Sequence, residues 1–164
     1  MKYVNETVRR QDRLLSEERA LQLIRDSEYG VLSMVAADGE AYGLPLNYVW
    51  DGAHSLYIHC APEGKKLRAL AHNHDVSFCI VGHTNLLPSR FTTEYESVVM
   101  KCHAVIVLDD DEKRHALRLL IDKLAPEYKE AGVKAAEKSF HRVGIIRLDI
   151  IEFSGKCKSV PSAH

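Results

Sequence analysis

Two lysines, Lys65 and Lys66, follow the turn Pro62, Glu63, Gly64 and open a stretch in which Leu67, Leu70 and Ala71 repeat at i, i+3 and i+4. That spacing predicts a short helix over residues 65–73, which puts both ammonium groups where a helix offers unpaired N–H groups and the positive end of its dipole. Lysine is unfavourable in a first helical turn unless an anion compensates it, and a phosphate monoester suits such a position. A solvated basic turn is the other reading of the same residues. Just upstream, a β-rich run delivers His59 and Cys60 to the turn. An imidazole there can position a substrate or exchange a proton near neutral pH, or it can simply pack and hydrogen-bond. The Cys60 thiol is reactive if the lysines lower its pKa and inert if it is buried.

The rest of the composition narrows the class of function. The chain has 164 residues, 22 Lys and Arg against 23 Asp and Glu, and a formal charge of -1. It therefore has no overall field to draw in nucleic acid or an anionic membrane, and an anion must be caught locally. No apolar run approaches the roughly 20 residues that a bilayer requires, and residues 1–13 lack the apolar stretch of a secretory signal. The expected location is the cytoplasm. The four cysteines show no C-x-x-C spacing, as expected of reduced thiols. Of the nine histidines, His72 and His74 stand at i and i+2 without a complete metal set around them, and a helix C-terminus favours histidine by itself. No metal site is expected.

The elements that must position Lys65 and His59 follow from periodicity and turn chemistry. Ser16, Glu17 and Glu18 start a first helix that ends at Gly30. Strands are expected over residues 30–36, 41–50 and 55–60, separated by the pairs Asp38-Gly39 and Asp51-Gly52, so the three should form an antiparallel meander. After the short helix come a strand over 76–81, a long loop over 82–93 containing Pro88, and a strand over 96–108. A helix over 112–125 is stopped by Pro126, another helical stretch covers 128–139, and a last strand covers 143–153 before a polar tail. About six strands with short turns and few intervening helices point to one mainly β domain over 1–164 with peripheral helices, an N-terminal arm (1–13) and a C-terminal tail (157–164). A closed or nearly closed antiparallel barrel is the simplest way for them to avoid exposed edges.

The runs Leu44, Pro45, Leu46, Asn47, Tyr48, Val49 and Leu56, Tyr57, Ile58, His59, Cys60, Ala61, Pro62, Glu63, Gly64, Lys65, Lys66 resemble the flavin-binding core of the pyridoxamine 5'-phosphate oxidase-related split-barrel family, in the branch of the nitroimidazole resistance proteins. Tyr95 to Val99 and Ile151 to Lys156 agree with it, so the resemblance spans about residues 9–156 in order. It implies a six-stranded antiparallel split β-barrel that forms a homodimer, with FMN in each groove between subunits. Pro45, Leu46, Asn47 and Tyr48 would then lie along the isoalloxazine ring, and His59, Cys60 and Ala61 beside the flavin and its ribityl chain. Lys65 and Lys66 would meet the phosphate, and Ser97 and Val98 would approach the ring, from the partner chain where a second subunit supplies them. FAD also fits an open groove. Cys60 departs from the Ser or Thr of many relatives and is a weaker hydrogen-bond donor, which shifts phosphate binding toward the lysines. The ending from Gly155 to Pro161 lacks the arginine that true pyridoxamine phosphate oxidases use, so vitamin B6 oxidation is not the expected activity. The function so implied is an FMN-dependent oxidoreductase reducing nitro-aromatic or similar small molecules with NAD(P)H, His59 being the catalytic candidate. The alternative is a split barrel that holds flavin or haem without turnover.

Overall fold

The computed structural model describes residues 1–6 and 8–160; residues 161–164, which include Pro161 and the end of the expected tail, lie outside them. One eight-stranded sheet dominates. Its strands are β1 (Lys2–Tyr3), β2 (Tyr29–Val35), β3 (Ala41–Asn47), β4 (Val49–Trp50), β5 (Ser55–Cys60), β6 (Asp75–Leu87), β7 (Thr92–Val105) and β8 (Gly144–Lys158). The helices are α1 (Glu17–Asp26), α2 (Lys65–His72), α3 (Asp110–Leu124) and α4 (Lys129–Ser139). The spatial order is β3-β2-β6-β7-β8-β5-β4, all antiparallel, and β1 adds itself to β8 in parallel. The mainly antiparallel, split-barrel class expected from the sequence is what the chain adopts.

Local chemistry accounts for the connections. The Ser16 hydroxyl caps α1 by accepting from the Arg19 amide at 3.2 Å, and the Asp109 carboxylate caps α3 by accepting from the Glu112 amide at 2.8 Å. Between β2 and β3, Gly39 takes a φ of +82° while its amide donates to the Ala36 carbonyl, which is the glycine-requiring position of a bulged hairpin turn.

The sheet has eight strands against the six expected, since β1 forms within the expected N-terminal arm and one strand splits, and two others run longer than expected. The return strand over 41–50 breaks at Tyr48 into β3 and β4, which end up on opposite edges of the sheet. The expected loop over 82–93 is mostly sheet: β6 and β7 continue past a bulge at Gly82 and His83 and pair again from Thr84 with Tyr95 to Leu87 with Thr92. Gly82 is there because α1 lies against it, a Cβ at that position falling 2.7 Å from Leu23 Cδ1. Pro88 opens a single 3-10 turn at the hairpin tip, where a missing N–H costs nothing. Lastly, β8 runs on through Ser154 to Lys158, so the polar tail begins later than its composition suggests.

A bulge explains why the last strand alternates poorly in sequence. Leu148 and Ile150 face the core, but between Lys101–Glu152 and Cys102–Ile150 the register shifts by one. Phe153 and Gly155 then carry the inward face. The main core fills the barrel with Leu32, Phe78, Ile80, Met100, Leu148 and Phe153 among others, and a smaller one forms where Ala116 and Leu120 of α3 cover Val49, Tyr57 and Ile145.

Lys123 of α3 lies at the seam between these layers. Its ammonium donates to the Ser27 carbonyl at 2.6 Å and stands 4.1 Å from the centre of the Tyr48 ring. Burial outweighs the attraction of Asp26 and Glu28 and brings its pKa down to about 8 from an ordinary 10.5. With the folded value below the unfolded one, the unfolded chain holds more protons between the two, so stability rises with pH across that interval. Urea unfolding followed from about pH 7 to about pH 10 is expected to show the native sequence gaining stability relative to Lys123→Met, a comparison that cancels the opposite slope from the buried thiols of Cys60, Cys79 and Cys102, whose pKa values burial raises.

Candidate functional site

The β2–β3 hairpin and the start of α2 meet at one point. The Lys65 ammonium is paired with the Glu40 carboxylate at 2.8 Å and lies 4.7 Å from the centre of the Tyr42 ring, so the N-terminus of α2 is held against β3, the strand that carries Pro45, Leu46 and Asn47. An open cavity of about 360 Å³ beside it is lined by Ala36, Ala37, Asp38, Glu40, Lys65, Arg68 and Ala69.

α2 differs from its neighbours in how it begins. Its cap is Gly64, with a φ of +139° and no side chain to accept from the first amides, and its first turn holds no acid. α1 and α3 each have a capping side chain and at least two acids there. Lys66 has no carboxylate partner among the described residues, whereas Lys65 is engaged. The first turn of α2 is thus a cationic end with unclaimed donors, which is what an anion needs.

His59 is exposed on β5, opposite Ile145 of β8, and shares the outward side of its strand with Tyr57, which α3 covers. Cys60, next along, points the other way into the core, where its sulfur limits Gly144: a Cβ there falls 3.1 Å from Cys60 Sγ. Burial pushes the thiol pKa up and the charge of Lys66 only partly opposes that, so Cys60 is the inert thiol of the two readings. Ala61 is exposed at the turn.

The remaining sequence candidates fall on two sides of the sheet. Pro45 and Asn47 are exposed on the outer face of β3, with the Asn47 amide donating to the Glu28 carbonyl at 3.1 Å, while Leu46 is half-buried against the core. Ser97, paired with Val81 and Lys156, is on the outer face of β7. Two of the expected residues have buried side chains. Tyr48 is fully buried: its ring meets Phe78 edge-on at 5.2 Å, its hydroxyl donates to the Ile24 carbonyl at 2.6 Å, and burial pushes its pKa well up. Val98 is likewise fully buried, among the barrel residues. Neither side chain is open to a ring lying on the surface.

The sequence reading passed over the surface that surrounds Pro45 and Ser97. Pro45 pairs with Val31, Val31 with Cys79, Cys79 with Val99 and Val99 with Ser154, giving a row across five strands on the outer face. Val31 and Val99 are exposed, and so are Tyr29 and Val81 beside them. Tyr29 to Val35 did carry a signal: inward Leu32 and Met34 alternate with outward Tyr29, Val31 and Val35, so both faces are apolar, and a solvated face is polar. Among the described residues no group of three or more His, Cys, Asp or Glu is placed to hold a metal, and no helix is long and apolar enough to cross a membrane.

Comparison with known proteins places this geometry. No curated protein matches the sequence. A Bacteroides thetaiotaomicron structure that carries the provisional name of a 5-nitroimidazole antibiotic resistance protein superposes with a TM-score of 0.71 at 21% identity, over 88% of this chain and 86% of that one. The FAD and heme binding protein of Mycobacterium smegmatis gives 0.74 at 21% identity, over 93% and 76%. The flavocytochrome Anf3 of Azotobacter vinelandii gives 0.78 at 20% identity, over 95% and 74%. At such identities these likenesses establish the fold. Residues 16–157 match the pyridoxamine 5'-phosphate oxidase profile, and on that match over most of its length the chain belongs to the pyridoxamine 5'-phosphate oxidase family.

Proposed function

We propose that the chain is a cytoplasmic FMN-dependent oxidoreductase that reduces nitro-aromatic or similar small molecules with NAD(P)H. The observation that carries the reading is the contact of Lys65 with Tyr42 and Glu40, which joins the cationic start of α2 to the strand bearing Pro45 and Asn47. A ligand with a phosphate at one end and a flat ring at the other would pass from the start of α2 around the edge strand β3 to its outer face at Pro45 and Asn47. The neighbours named as flavin binders on the same fold support it.

The residues present fit the group. Lys66 and the uncapped amides of α2 neutralise and orient the phosphate. Pro45 and Asn47 offer an outward surface for the ring, and His59, exposed at the end of β5, is placed to hold or pass a proton at its imidazole. FMN, when bound, supplies the hydride and electron chemistry, while the protein fixes its position and field.

The active form is a homodimer. Asn47 and Ser97 belong to strands three steps apart in the sheet, or about 14 Å at the usual spacing between strands. With the ring along Asn47 of one subunit, Ser97 meets it from the other. The apolar outer face of Tyr29, Val31, Val81 and Val99 is the surface such a pairing would cover. Purified protein is expected to be yellow, to bleach with NAD(P)H and recover with a nitro-aromatic, and to run as a dimer by light scattering. Colourless protein that takes up neither FMN nor FAD overturns the reading, and yellow protein that NAD(P)H never bleaches leaves flavin binding and removes the enzyme. A flavin-loaded monomer overturns the shared groove.

A further inference from the structure

The two lysines at the start of α2 are not equivalent. Lys66 has no carboxylate partner among the described residues, whereas Lys65 is bonded to Glu40, with Asp38 adding its field and the Tyr42 ring beneath. Glu40 and Asp38 lie in the β2–β3 turn, the same turn whose cavity Lys65 and Arg68 line from the other side. The turn is fixed internally, since the Asp38 carboxylate accepts from the Glu40 amide at 3.0 Å and Ala36 and Glu40 close the hairpin through a backbone bond. The Glu40 carboxylate is therefore presented to Lys65 by a formed turn rather than by a wandering side chain.

We propose that Glu40 is an internal competitor for the flavin phosphate: it occupies Lys65 while the groove is empty and is exchanged for the phosphate on binding, which makes it a determinant of which phosphates the site accepts. This rests on the flavin reading of the site. The exchange is physically cheap because the pair is solvent-exposed on both sides, and exposed pairs of this kind are weak. Its effect on an incoming anion is larger than its effect on the fold. A phosphate monoester, which carries close to two charges, draws on Lys65 more than a phosphate diester, which carries one, so it loses more while Glu40 holds that lysine. A flavin without phosphate is indifferent to it. Bare phosphate, lacking the ring contacts that offset the displaced ion pair, is disfavoured most.

The experiment measures dissociation constants of riboflavin, FAD and FMN for the flavin-stripped chain by flavin fluorescence at low salt, in the native sequence, Glu40→Gln, Lys65→Gln and the double variant. Glu40→Gln is expected to bind FMN about three- to tenfold more tightly, to gain less for FAD and to leave riboflavin unchanged, and added salt should erase the gain. In the Lys65→Gln background the gain from Glu40→Gln should shrink to below about twofold, because the two residues then no longer act through one contact. Unchanged or weaker FMN binding by Glu40→Gln, with FMN still bound by the native chain, overturns the competitor role and leaves the flavin reading intact. An equal gain for riboflavin and FMN overturns it as well, since the effect would then not pass through the phosphate. A native chain that binds none of the three overturns both.

Discussion

Replacing Lys65 and Lys66 together with alanine is expected to weaken FMN binding about 150- to 700-fold while riboflavin binding changes by less than about twofold. The figure follows from two charge-assisted contacts to phosphate at about 1.5–2 kcal/mol each, against about 1.4 kcal/mol per factor of ten. The comparison with riboflavin isolates the phosphate, because the two ligands share the ring and the ribityl chain. Loss of fold is not a competing explanation. Lysine in a first helical turn opposes the helix dipole, so alanine there leaves α2 as stable or slightly more so. Fluorescence titration of both ligands, with urea unfolding of the variant alongside, reads both halves of the expectation. A parallel loss of riboflavin would instead place the lysines against the ring.

Phe78→Ala is expected to cost about 3–5 kcal/mol of stability. The ring is fully buried, meets Tyr48 edge-on and lies against Gly30, where a Cβ would collide with it and with the carbonyl of Cys79 at 2.7 Å. Gly30 and Phe78 thus form one fitted contact between β2 and β6. Its loss leaves a cavity walled by strands whose hydrogen bonds prevent collapse. Chemical denaturation should show a lower midpoint with an unchanged slope, and a change in slope would mean that the barrel had loosened as a whole.

How much could be read in advance depended on how local the signal was. Ser16, Asp38-Gly39 and Asp51-Gly52 were each legible because a cap or a tight turn is made by the residue itself and its immediate neighbours. Asp51 shows this well, its carboxylate accepting from the amides of Ala53 and Ser55 at 2.7 and 3.0 Å. The start of α2 was legible for the same reason. Which way a strand residue faces was less so. Tyr48 follows exposed Asn47 in a run that resembles flavin-contacting strands, yet it continues the inward alternation of Tyr42, Leu44 and Leu46 and packs on Phe78. Val98 was grouped with Ser97 although neighbours on a strand face opposite ways. The bulges at Gly82 and Lys101 shift the alternation of β6 and β8, and no local pattern marks them. Nothing local marks Glu40, because its partner is 25 positions away.

The placement of β3 and β4 at opposite rims of the sheet, with Tyr48 alone between them in the chain, acts as a caliper. The gap of the barrel is spanned by one peptide unit on each side of a residue whose ring is clamped by Phe78, Lys123 and its own hydrogen bond to α1. Such a gap has a set width. It cannot widen without first unseating Tyr48 from the core, so the spacing of the two rims is written into the packing of the interior rather than into the residues that line the edges.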